Sequence, residues 1–99
     1  MNITEIKIRK LLNDDKLRGI VSVTFDDIFA VHDIKVVQGD NRLFVAMPSR
    51  RDDSGVFRDI VHPITMGARK NIENEILEAY QMELDRRDAE NALDNSFEN

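Results

Sequence analysis

The hydrophobic period changes once along the chain, and that change sets the class of fold. Up to residue 64 apolar side chains recur mainly at every second position. From Thr65 onward they recur about every 3.6 residues. Ile72, Ile76, Leu77, Tyr80 and Leu84 then fall on one stripe, which predicts an amphipathic helix packed on a sheet. Thr65 is its predicted N-cap, because a hydroxyl can accept from the first free backbone N–H groups. Gly67 weakens the first turn.

Upstream, residues 3–12 alternate, with Ile6, Ile8 and Leu12 expected on one face and Glu5, Lys7 and Arg9 on the other. Residues 13–16 compose a turn, and 18–25 a second strand with Val21, Val23 and Phe25 inward. Asp26 and Asp27 turn the chain into a third strand over 28–37. Its apolar residues read onto both faces, Ile28, Ala30, Ile34 and Val36 against Phe29, Val31 and Val37. After a turn at 38–41, a fourth strand starts at Arg42 and is apolar on both faces through Met47 until Pro48 ends it. Arg50 and Arg51 are placed on a loop with the turn-forming run 52–55, and a short fifth strand covers 56–61 before His62 and Pro63 lead to the helix. Short turns between successive strands imply antiparallel neighbours. The expected architecture is therefore α+β, an antiparallel β-meander of about five strands followed by a C-terminal amphipathic helix. One domain over 1–84 is expected, with an acidic, frayed or disordered tail over 85–99.

One helix covers one face of a sheet, yet the third and fourth strands read as apolar on two. A second copy of the chain is the simplest cover, so a homodimer is expected, built by sheet packing or edge pairing.

Composition excludes several chemistries. There are no cysteines, so neither a disulfide framework nor a thiolate metal site can form. No stretch approaches the roughly 20 apolar residues of a membrane span, and the N-terminus lacks a signal-peptide pattern. A cytoplasmic protein is expected. The four glycines are scattered and make no phosphate-cradling motif, so no cofactor is expected. His32 beside Asp33, with Asp59 and His62, invites an acid–base or metal reading. Adjacent strand residues point to opposite faces, however, and no nucleophile is evident. The expectation is no catalytic residue and no metal, with His32 a satisfied core histidine and His62 shaping the turn into the helix.

Charge is unevenly spread. Residues 1–70 hold twelve Lys or Arg against ten Asp or Glu, and residues 71–99 hold two against nine. The sheet portion is mildly basic and the acidity belongs to the helix and tail. Arg50 and Arg51 sit side by side, with Asp52 and Asp53 available to neutralise them. Arg69 and Lys70 fall in the first helical turn, where the dipole disfavours cations by about 0.3–1 kcal/mol and a bound phosphate would reverse the sign. Lys7 and Arg9 extend the basic set peripherally. These six residues are the candidate contacts to DNA or RNA, mainly to phosphate.

The run from Leu43 to Arg51, LFVAMPSRR, and the run from Gly55 to Ile64, GVFRDIVHPI, are preceded by Val31-His32-Asp33-Ile34. Together they resemble the stage V sporulation protein G family, in the same order over residues 3–80. The resemblance implies a small bacterial regulator of septation and gene expression that binds DNA and RNA site-specifically. It maps the family's basic motif onto Pro48, Ser49, Arg50 and Arg51, and a basic helix-opening residue onto Arg69. The chain departs from the family's hydroxyl-rich helix opening with Met66, Gly67 and Ala68, which leaves the target sequence open. A protein-interaction module of the septation pathway is the alternative.

Overall fold

The structure is a computed structural model that describes the backbone of residues 1–97 and the side chains of residues 1–92. Four strands, β1 (Ile3–Leu11), β2 (Leu17–Phe25), β3 (Phe29–Gln38) and β4 (Leu43–Ala46), form an antiparallel meander in the order β1-β2-β3-β4. The expected fifth strand does not join it. Instead β5 (Ser49–Arg51) and β6 (Phe57–Asp59) pair with each other as a separate two-stranded ribbon. The last element is α1 (Met66–Phe97). The fold is α+β, with Arg50 and Arg51 on a strand rather than a loop.

The core lies between one face of the meander and α1. Val21, Val23, Ile34, Val36 and Ile76 are fully buried, joined by Phe25, Val45 and Tyr80. Ile72, Leu77 and Leu84 pack against this cluster, so the whole predicted stripe faces the sheet. Thr65 caps the helix as expected, its hydroxyl oxygen accepting from the Ala68 N–H at 3.1 Å. Gly19 lets helix and sheet approach, since a Cβ there would lie 3.3 Å from the Lys10 carbonyl oxygen and 3.4 Å from the Tyr80 ring. A 32-residue helix is about 48 Å long, well beyond a nine-residue strand of about 30 Å. Its distal part therefore continues past Leu84 and past the sheet it packs on. Residues 98 and 99 of the acidic 85–99 segment lie outside the described residues.

Two bulges correct the face assignments. In β1, Ile8 pairs with Val21 and Lys10 with Ile20, so Arg9 is an extra residue. The phase slips by one, and Leu11 rather than Leu12 packs on the core. In β3, Ile34 pairs with Val21 and Val31 with Val23, which inserts an extra residue at His32–Asp33. Asp33 accommodates it with φ of 62°. Val31 and Phe29 thereby join Ile34 and Val36 on the helix side, Phe29 stacked on Phe25 with ring centroids 5.3 Å apart. Ala30 and Ile28 are exposed rather than inward. The outer face thus keeps Ile20, Val37, Phe44 and Ala46 around Lys35, a smaller apolar set than two fully apolar strands would present. Large exposed apolar residues include Ile28, Phe57, Ile60, Ile64 and Met66.

Asp26 and Asp27, with φ of 52° and 57°, form the tight β2–β3 turn, closed by Ile28 N–H donating to the Phe25 carbonyl at 3.0 Å. The turn is tied to the residue preceding β1, the Asp26 carboxylate accepting from the Asn2 N–H at 2.8 Å.

Candidate nucleic-acid interface

The six candidate cations fall in three places. Arg50 and Arg51 lie on β5, opposite Arg58 and Phe57 of β6. The connecting turn is organised by Asp52, whose Oδ1 accepts from the Ser54 hydroxyl at 2.6 Å, the Ser54 N–H at 2.9 Å and the Val56 N–H at 3.0 Å. Its Oδ2 accepts from Arg58 Nε at 2.7 Å. The Ser54 hydroxyl bond first, then the bond from Arg58, hold the Asp52 carboxyl far below the usual carboxylate range. Gly55, at φ of 85°, completes the turn in a conformation few other residues adopt. Asp52 is thus committed to the turn and to Arg58. Among the described residues neither Arg50 nor Arg51 has a carboxylate within ion-pair distance. Arg51 lies over the Phe57 ring at 5.6 Å and donates from Nε to the Gly55 carbonyl at 3.4 Å. The expected neutralisation by the neighbouring aspartates is not formed.

Arg69 and Lys70 are exposed in the first turn of α1, which carries no acidic residue. They share an open cleft of about 440 Å³ with Arg42, Met66 and Glu73. Glu73 is committed to β4. Its Oε1 accepts from Arg42 at 2.8 Å and its Oε2 from the Val45 N–H at 3.3 Å. Arg42 is thereby paired, while Arg69 and Lys70 have no ion pair among the described residues. The ribbon cations line a different cleft, with Asp53 and Asp59.

Lys7 and Arg9 lie on β1, on the sheet face that α1 leaves open. Lys7 pairs with Glu5 at 3.9 Å. Arg9 Nε donates to the buried Ser22 hydroxyl oxygen at 3.1 Å, and Ser22 Oγ lies 2.8 Å from His32 Nδ1. His32 is exposed, so it is a surface histidine held by a polar network and not a core one. His62 Nδ1 lies 3.1 Å from the Pro63 carbonyl oxygen, between ribbon and helix. Among the described residues no three His, Asp or Glu side chains gather as metal ligands, and no helix is long and apolar enough to cross a membrane.

Sequence reasoning missed Lys10 and Lys35, which the two bulges bring to the same open face as Arg9. It also missed the roles of Asp52, Arg58 and Glu73. The Asp52-x-Ser54 spacing of an Asx turn was the one local signal available for these.

The family model SpoVG matches residues 1–82. The chain belongs to the SpoVG family. It is 53% identical over 90 residues to "Putative septation protein SpoVG" of Clostridium botulinum strain Alaska E43, covering 91% of this chain and 99% of that protein. It is 59% identical over 81 residues to the protein of that name from Desulforudis audaxviator, covering 82% and 92%. The protein so named from Acholeplasma laidlawii is 51% identical over 85 residues, covering 86% and 90%. The SpoVG match ends at residue 82, two residues before the last residue of the helical stripe that packs on the sheet.

Proposed function

We propose that this SpoVG-family protein acts in septation as a nucleic-acid-binding regulator without catalysis. It grips the phosphates of DNA or RNA through Arg50, Arg51, Arg69 and Lys70, with Lys7 and Arg9 at the margin. One observation carries the reading. In each cleft one arginine is paired with a carboxylate, Arg58 with Asp52 and Arg42 with Glu73, while its two cationic neighbours are left unpaired among the described residues. The paired residues build the site, and the unpaired ones are available to an anion. A bound phosphate at Arg69 and Lys70 would offset the cost of placing cations at the helix's positive end.

The clefts are separate in one copy, so a homodimer that doubles them gives a longer basic track. The apolar residues at ribbon and helix start favour such a dimer, because a two-stranded ribbon alone is marginal in water. Phe57, Ile60 and Ile64 are exposed for a second copy to cover.

The rival reading, a protein-interaction module, is favoured by a mostly apolar crevice of about 270 Å³ between Phe29, Val61, Ile64 and Ile72. Salt separates the two, since phosphate contacts weaken steeply with salt and apolar contacts do not. Purified protein titrated with DNA and RNA fragments at two salt concentrations should bind with a marked salt slope. The Arg69→Ala/Lys70→Ala variant should lose about tenfold in affinity at low salt. Binding unchanged in that variant removes the helix start from the interface.

A further inference from the structure

We propose that the open face of the four-stranded sheet holds a single strand of nucleic acid, its phosphates contacted by Lys7, Arg9, Lys10 and Lys35. The inference rests on the nucleic-acid reading above, and adds to it the surface used and the form of the polymer. The register builds the site. Val21 and Val23 are buried beneath α1, so Ile20, Ser22 and Thr24 present the other face. Lys10 lies opposite Ile20, and Ile20 opposite Lys35, which sets two lysines in one row across three strands. Lys7 lies opposite Ser22, and Ser22 bonds His32, which makes a second row two residues along. Those rows are about 7 Å apart, and the outer strands of each about 10 Å apart.

Arg9 stands at the β1 bulge, held in place from below. Its Nε–H donates to Ser22 Oγ, which also lies within hydrogen-bond distance of His32 Nδ1. Ser22 is only 6% exposed, which makes it a rigid anchor. The Arg9 guanidinium is thereby ordered before any ligand arrives, lowering the entropy cost of binding. The carboxylates of these strands are too few to neutralise the face. Glu5 is taken by Lys7, and Asp33 is set in the β3 bulge. Arg9, Lys10 and Lys35 have no ion pair among the described residues.

The two rows favour a flexible single strand, which can bend to follow both, whereas a rigid duplex would meet the sheet along one ridge of phosphates. The exposed His32 ring supplies a planar group for an unstacked base. Contacts to phosphate carry no sequence information, so gripping through these cations is sequence-tolerant.

The test uses a fluorescent oligothymidylate of twelve nucleotides and a duplex of equal length, titrated at several salt concentrations. Lys10→Ala/Lys35→Ala should weaken single-strand binding about tenfold at low salt and reduce the salt slope by about 1.4, with duplex binding much less affected. Lys10→Gln/Lys35→Gln, which keeps the stems over the sheet, should give the same loss with unchanged melting. Wild-type affinity and slope in both variants would overturn this inference and leave the proposed function standing. Wild-type protein that binds neither polymer would overturn both. An equal loss on the duplex would overturn the single-strand assignment. So would salt-sensitive self-association, without oligonucleotide, that both variants abolish, since the face would then belong to the acidic helix of a second copy.

Discussion

In β2, Val21, Val23 and Phe25 are buried beneath α1, whereas all six residues of β5 and β6 are exposed. The meander and helix are held by removing apolar surface from water, each fully buried side chain contributing about 1.5–3 kcal/mol. The ribbon has no such layer. It is held by its own ladder, by the four hydrogen bonds that converge on Asp52 and by Arg51 over Phe57. Burial is collective and hard to perturb locally, while a turn built on one carboxylate is local and separable. The sheet face is fixed by the core beneath it, and the ribbon depends on a few local contacts.

The contrast is best attacked first at the core. Ile76→Ala removes a fully buried side chain between helix and sheet and should cost about 2–5 kcal/mol in denaturant unfolding. A loss under 1 kcal/mol would mean that α1 is not integral to the core. Next comes Gly19→Ala, which sets a methyl group against the Lys10 carbonyl oxygen and the Tyr80 ring, at a cost of about 1–3 kcal/mol. Pairing it with Tyr80→Leu should recover part of that loss, and no recovery would place the strain at the Lys10 carbonyl instead.

The smallest global effect should come from the ribbon. Asp52→Ala should leave overall melting nearly unchanged while amide exchange at Ser54 and Val56 speeds up. A large drop in melting temperature would show that the ribbon is coupled to the core. The pH dependence has a definite sign. The Asp52 carboxyl is depressed in the folded chain, so its contribution is complete above the ordinary carboxylate value near 3.9 and is lost only as pH falls through the lower folded value. Ribbon amides followed by NMR should therefore stay protected through mild acid and open in strong acid. Opening already near pH 5 would assign the turn's stability to another group.

Much of this was legible in residue order. The change of period at Thr65, the cap, the five stripe residues and the inward set of β2 all follow from spacing, because each depends on neighbours within one or two turns. The faces of β1 and β3 were not legible beyond Arg9 and His32. An extra residue in a ladder is visible only once the partner strand is known, and one slip reverses every later side chain. The same limit hid Lys10 and Lys35, which are neighbours only through Ile20. It also hid the fate of Asp52, since the Arg58 that claims it arrives from the opposite strand of the ribbon.

The linear order of residues thus determined the kinds of element, their order and the family's motifs. Those quantities are set by local sterics and by the periodicity of apolar side chains. Only the tertiary structure decided which cations stay unpaired and which face each residue occupies, because pairing and register are relations between strands that the chain itself holds far apart.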